Sequence, residues 1–282
     1  MSVPVPAVPI LPAATVVLVR ETTGEALLLL RHARHGFMAN VWVFPGGRVD
    51  ETDVAVAATD VATPYPAPAS GSSDYPAFVR AAIRETWEEA GILLTDPPRI
   101  AAPDEARLGE SAPAFARETR YLSLEPFARW VTPPSEKRRY DTLFFLALVP
   151  DLDAVPDAGE VIDALWVHPA VAIARHRANT LPLAPPTLLT LHALVAASLP
   201  ATTPYAPSEA MEAAWSPDHA QRLVAWVHQT ARVGVASLTP SLVLIDGRLV
   251  VAVPSDHRWP VPDQLSRVSG IRLVDGHWEL AE

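Results

Sequence analysis

A chain of 282 residues, 49% of them hydrophobic and 19% charged, has the material for one large domain or one domain with an appendage, and is too apolar for a disordered solvating segment. No apolar run approaches the roughly 18 residues of a membrane span, and a net charge of −10 argues against nucleic acid or anionic lipid as a bulk partner. The absence of cysteine removes disulfides, thiolate nucleophiles, Cys-bound zinc and iron–sulfur clusters, so chemistry here runs on carboxylates, His, hydroxyls, Arg or bound hard cations.

The N-terminal stretch is apolar but broken by Pro4, Pro6, Pro9 and Pro12 and lacks a basic leader, which reads as a cytoplasmic protein. Two strands are predicted, TVVLVR (Thr15–Arg20) and EALLLLR (Glu25–Arg31), joined by a turn at Glu21-Thr22-Thr23-Gly24. A short strand, Val41–Phe44, runs into Pro45-Gly46-Gly47, where missing side chains open the backbone to a ligand. Residues from Val54 to Asp74 have the composition of an excursion loop. A helix then follows, with Asp74 as N-cap, Pro76 in its first turn, apolar Phe78, Val79, Ala82, Ile83 and Trp87 at helical spacing, and Gly91 as the stop.

Further along come a strand over Asp141–Val149, another near Leu165–Val167, and helices over Pro169–Arg177 and Pro185–Leu199, giving a mixed α+β class. From Pro200 the chain changes to a Pro/Thr linker, a helix over about Pro217–Arg232, and two hairpin signals, Asp246-Gly247 and Asp275-Gly276. The expected organisation is a main domain over 1–199, with an insertion at about 54–74, and a C-terminal helix and hairpin extension over 200–282.

The segment Arg84-Glu85-Thr86-Trp87-Glu88-Glu89-Ala90-Gly91-Ile92 places carboxylates at i, i+3 and i+4, on one face of the helix. Each like-charged pair costs a few tenths of a kcal/mol, and the negative end of the helix dipole adds to the cost. Arg84 reaches Glu88 across one turn. One guanidinium leaves carboxylates over, and a hard divalent cation with oxygen ligands is the natural remainder, against the common alternative of a solvated acidic face.

Together with FPGGRVDETD upstream, this segment resembles the Nudix box, G-x5-E-x7-R-E-U-x-E-E-x-G-U with U aliphatic. Gly47 supplies the first glycine and Arg84 to Ile92 the second half. The match departs in three places: Asp53 stands at the first Glu position, Thr86 at an aliphatic one, and Val54 to Ile83 replace the seven-residue spacer. An interrupted box is similar to that of the peroxisomal coenzyme A diphosphatase-like branch, as are LLLLRHARHGFM, ARWVTPPSEKRRYDTLFFLALVP and LAPPTLLTLHAL, so the likeness runs from about Thr15 to Leu199.

The resemblance implies an α/β/α sandwich around a mixed sheet and hydrolysis of a nucleoside diphosphate linked to another moiety, with Mg²⁺ or Mn²⁺ as cofactor. It carries over Glu85, Glu88 and Glu89 as metal-binding residues, with Glu85 or Glu89 near the attacking water, the Gly47 carbonyl as a further ligand, and Asp53 as a structural partner of Arg84. It also implies an acidic residue before a late strand as general base. Glu160 is that candidate, with Asp163 not separable from it by sequence.

Arg31, Arg34 and the run Lys137-Arg138-Arg139 are candidates for holding phosphate, and Trp130 for stacking on a base, while His32 and His35 read as structural. The partner expected is a small nucleoside diphosphate derivative, CoA or an acyl-CoA ahead of ADP-ribose or NADH. A homodimer is left open. A catalytically silent nucleotide-binding module is the competing class, disfavoured because all three helix carboxylates are present. A DNA-reading tail is excluded by charge, since residues from Pro200 onward hold no Lys and six Arg.

Overall fold

The strand Ile10–Arg20 (β1) is apolar on both sides because it is buried on both: Val16 and Leu18 enter one buried cluster, Val17 and Val19 the other. The computed structural model describes residues 8–32, 40–54, 75–100, 122, 124–156, 159–233, 235, 237–245, 248–253, 262, 265 and 267–281. Around β1 the chain adds β2 (Ala26–Arg31), β3 (Trp42–Val43) and β4 (Gly46–Arg48), then helix α1 (Tyr75–Ala90). A small separate pair follows, β5 (Ile92–Leu93) with β6 (Arg99–Ile100), and then the long strands β7 (Glu125–Val131), β8 (Arg139–Val149) and β9 (Val161–Val167).

Helices α2 (Pro169–Arg177), α3 (Pro185–Ser198), α4 (Ala210–Ala213) and α5 (Pro217–Val233) precede β10 (Ser237–Leu238). The central sheet has eight strands in the order β10-β7-β8-β1-β2-β3, with β4 also on β1 and β9 on β2. It is mixed: β1 runs parallel to β8 from Ile10↔Arg139 to Arg20↔Val149, whereas β7 and β8 are antiparallel. Helix α1 covers one face, and α2, α3 and α5 cover the other, so the expected α/β/α sandwich is the fold.

Prolines set helix starts. Pro169 opens α2 behind His168, whose Nδ1 accepts from the Ala170 amide at 3.3 Å. Burial lowers the His168 pKa to about 4, which keeps the ring neutral and able to accept. Pro185 and Pro186 open α3, which is buried on every side from Thr187 to Ser198. Helix α1 ends as expected: Gly91 takes the left-handed φ of +67° and donates to Trp87 O at 2.8 Å, and Val155 N caps Ala90 O at 2.8 Å. Asp74 and residues 55–74 of the expected insertion lie outside the described residues.

The segment after residue 200 is joined to this core. The Trp226 ring of α5 lies 5.4 Å from that of Phe127, and β10 extends the central sheet through Ser237↔Arg129 and Leu238↔Trp130. The strands of both expected hairpins pair, β11 (Ser241–Ile245) with β12 (Arg248–Ala252) and β13 (Gly270–Val274) with β14 (His277–Ala281), and the β12–β13 pairing fuses them into one four-stranded sheet, while Asp246 and Gly247 lie outside the described residues. Asp275 and Gly276 both have positive φ, 47° and 87°, the signature of the type I′ turn. His176 anchors this sheet to α2, its Nε2 accepting from Trp278 N at 3.1 Å. Among the described residues, no helix is long and apolar enough to cross a membrane.

Candidate active site

The glycines and the carboxylates meet where β4 passes under α1. Ala14↔Gly47 and Thr15↔Gly46 hold β4 along β1, and the Gly46 amide donates to Glu89 Oε2 at 2.9 Å. A Cβ on Gly47 would stand 2.3 Å from the Glu85 carboxyl carbon, so only glycine permits this approach. Thr86, on the opposite side of the helix, is fully buried where the box has an aliphatic residue. Its hydroxyl is satisfied by donating to Ala82 O at 2.7 Å.

Arg84 organises the carboxylates. Its Nη1 donates to Glu85 Oε1 at 2.8 Å and Glu88 Oε2 at 2.9 Å. Its Nε and Nη2 fork onto Asp53 at 3.2 and 2.9 Å, and Nη2 also donates to Arg48 O at 2.9 Å. Asp53 is 2% exposed and accepts from the Asp50 amide at 2.9 Å, so it holds the loop and the guanidinium together and points its charge at Arg84. Burial works against the Arg84 charge, but the Asp53 hydrogen bond and the Glu85, Asp53 and Glu88 charges outweigh it and raise its pKa.

One guanidinium does not satisfy the rest. Burial pushes Glu85 up to about 7 against the pull of Arg84, with the Glu88 and Glu160 charges adding to the rise. Glu89, 8% exposed, is pushed up to about 8 by burial, reinforced by Glu85 and Glu160 and opposed by the Gly46 amide and Arg31. Glu88 is raised in the same direction, first by burial. Three carboxylates on one helix face, from buried Glu89 through half-buried Glu85 to exposed Glu88, are therefore all pushed toward the neutral form.

These groups line a cavity of about 890 Å³, at the upper end of ligand-site volumes. Arg31, Gly47, Glu160 and Arg138 line it too. Glu160 is placed by its own carbonyl, which accepts from the His32 amide at 3.0 Å beside the end of β2. Both acids are exposed, but Asp163 is not among the residues lining the cavity and its Oδ1 accepts from the Ala164 amide at 2.9 Å, so their places differ where the sequence left them alike. Within the basic run, Arg138 lines the cavity, Lys137 is exposed, and Arg139 is spent on Thr132 O at 3.0 Å. Arg34 and His35 lie outside the described residues. Trp130, also in the lining, is 4% exposed and belongs mostly to the core.

Among the described residues, no three His, Asp or Glu side chains are drawn together closely enough to hold a metal ion as they stand. Arg84 accounts for this, because it gathers Glu85 and Glu88 onto its own nitrogens while Glu89 turns to Gly46.

A solved structure, that of a Nudix hydrolase from Alicyclobacillus acidocaldarius, is 30% identical and superposes with a TM-score of 0.59 over 73% of this chain and 96% of that one. The chain belongs to the Nudix hydrolase family. No family model matches it. An acyl-coenzyme A diphosphatase of Gallus gallus is 32% identical over 224 residues, covering 57% of this chain and 58% of that protein. A putative nudix hydrolase of Caenorhabditis elegans is 29% identical over 190 residues, covering 64% of this chain and 58% of that protein. The chain thus spans 58% of the length of each of these curated relatives, and within the Nudix family it resembles the coenzyme A diphosphatase branch.

Sequence reasoning missed part of this Nudix cavity. Ala184, Pro185 and Pro186 at the start of α3 line it, as do Pro240, Leu242 and Val251 from the C-terminal segment. The α3 residues carried a signal, two prolines at a helix start. The C-terminal ones carried none, because only the pairing of β10 with β7 brings them here.

Proposed function

We propose that this Nudix chain is a divalent-metal-dependent pyrophosphohydrolase that cleaves the diphosphate bond of a nucleoside diphosphate derivative, with CoA or an acyl-CoA as the favoured substrate. The observation that carries the reading is the Glu85, Glu88 and Glu89 face beside Gly46–Gly47, opening into a cavity that also holds Arg31, Glu160 and Arg138. The likeness to an acyl-coenzyme A diphosphatase supports the substrate class.

The donor set fits Mg²⁺ or Mn²⁺: it is all hard oxygen, and two of its members have pKa values raised to about 7 and about 8 beside one guanidinium already shared with Asp53. Glu85, Glu88 and Glu89, with the Gly47 carbonyl, would hold the ion. When bound, the ion offsets diphosphate charge and lowers the pKa of a coordinated water.

The protein's own groups do the rest. Asp53 holds Arg84, Arg84 holds Glu85 and Glu88 in register, and the Gly46 amide fixes Glu89. Glu160, placed in the same cavity, is the group to take the proton of the attacking water, and Arg31 and Arg138 supply guanidinium donors for phosphate oxygens.

The test is one substrate panel with Mn²⁺ and product analysis, comparing CoA, dephospho-CoA, ADP-ribose and NADH. Release of 3′,5′-ADP from CoA, with a preference over dephospho-CoA that Arg138→Ala reduces, supports the reading. Equal or better turnover of ADP-ribose moves the substrate to the ADP-ribose/NADH type. No turnover of any diphosphate would make the chain a silent nucleotide-binding module.

A further inference from the structure

The strand register lays out the floor of the cavity. Thr15 sits beside Gly46 on one side and Phe144 on the other, Ala13 beside Thr142, and Thr142 beside Trp130. The lateral order is therefore β4, β1, β8, β7, and then β10 from the C-terminal segment. At about 4.8 Å per strand, the floor runs roughly 20 Å from the glycines under Glu85 to the strand that brings in Pro240. Past Pro240, Leu242 and Val251 stand directly opposite each other in the β11–β12 ladder, and both line the cavity. Ala184, Pro185 and Pro186, also uncharged, line the cavity from the β3 edge, where Ala184 N donates to Trp42 O at 3.4 Å. One continuous cavity thus has an acidic end built by the Nudix helix and an apolar end completed by residues from beyond position 237.

We propose that the C-terminal segment, through Pro240, Leu242 and Val251, forms the specificity wall of the substrate cavity and seats a long apolar arm carried on the phosphate distal to the nucleoside. For its place in catalysis this rests on the pyrophosphohydrolase reading. The occupant follows from the geometry: a diphosphate held at the Glu85 end leaves up to about 20 Å of floor toward Pro240, and although Glu136 and Arg138 line the same cavity, its far end of Pro240, Leu242 and Val251 is uncharged; a compact polar ribose would leave that end wet and an extended apolar chain would dry it. Leu242 is the informative position. It is 37% exposed, so a polar replacement is compatible with the fold, whereas Val251 is 5% exposed and belongs to the core.

The experiment uses the full chain and two readouts. With Mn²⁺, kcat/KM is measured for dodecanoyl-CoA and for ADP-ribose, and with EDTA present the dissociation constant of dodecanoyl-CoA is measured by calorimetry. Leu242→Glu is expected to lower kcat/KM for dodecanoyl-CoA about tenfold and to weaken its binding by a similar factor, with ADP-ribose within about twofold of the parent. Leu242→Ala should give a smaller loss in the same direction. An equal loss on both substrates, or unchanged dodecanoyl-CoA binding, overturns the proposal. Selective weakening of dodecanoyl-CoA binding in a protein that hydrolyses neither compound would sustain this wall while ending the catalytic reading.

Discussion

Replacing Asp53 tests how the carboxylate face is organised. Its side chain is 2% exposed and accepts from Arg84 Nε at 3.2 Å, Arg84 Nη2 at 2.9 Å and Asp50 N at 2.9 Å. Breaking a buried ion pair from one side costs about 3–5 kcal/mol. Arg84 would keep Glu85, Glu88 and the Arg48 carbonyl, so the lower end applies, and we expect Asp53→Ala to cost about 3 kcal/mol. Asp53→Asn, which keeps the volume and an acceptor oxygen, should cost about half as much, ~1.5 kcal/mol. The assay is urea denaturation at neutral pH with EDTA present. A released Arg84 would sit wholly on Glu85 and Glu88, so Mn²⁺-supported turnover should also fall by about 10–100-fold. An Asp53→Ala protein within ~0.5 kcal/mol of the parent would refute the claim that this pair positions the acidic face.

Glu89→Gln keeps the volume and removes the charge fixed by Gly46, and should cost at least about 100-fold in turnover with the fold intact; normal turnover would place the reaction on another face. Because Glu85 and Glu89 are raised to about 7 and about 8 in the folded chain, their stabilising contribution is complete below the unfolded value of ~4.3 and is lost as pH rises through those folded values. The metal-free protein should therefore unfold at lower urea at pH 9 than at pH 5, with a shallower decline in Glu89→Gln, and a flat profile in the parent would contradict the burial of these acids. Chelation should abolish turnover and Mg²⁺ or Mn²⁺ restore it; undiminished turnover after exhaustive chelation ends the metal mechanism. Gly91→Ala forces a side chain into φ +67° and within 3.2 Å of Val155 Cβ, which should destabilise by about 1 kcal/mol or more in a thermal melt; an unchanged melting temperature would show that the helix end adjusts freely.

What was legible in the sequence was whatever local chemistry determines. Helix α1 carries its own spacing and stop glycine, α2 and α3 begin on prolines, and the Asp275-Gly276 hairpin is specified by two residues able to adopt positive φ. The crowding of Glu85, Glu88 and Glu89 follows from helix periodicity alone. Strand β7 was missed because EPFARWV is buried without alternation, contains Pro126, and shifts register between Pro126 and Ala128. The start of β1 at Ile10 was missed because Pro12 reads as a breaker; here its carbonyl accepts from Val49 N at 2.9 Å. The fusion of the two hairpins and the arrival of Leu242 at the cavity depend on long-range pairings that no window of sequence contains.

The parallel register of β1 with β8 also sets an order of events during synthesis. Strand β1 emerges before its partner, Arg139–Val149, which follows well over a hundred residues later. The hairpin with β2 is available early, but its register with β1 is limited to Val19↔Ala26, at the far end of the strand. Strand β4 takes Ala13 to Thr15 on that same side, so it is the opposite edge of β1, from Ile10 to Arg20, that waits unpaired for β8, and contacts of such high order slow folding and expose the nascent chain to misassociation. Helix α1 packs into the cluster that holds Val16 and Leu18 of β1 and Leu143 and Phe145 of β8, so the face it rests on is complete only with β8 in place.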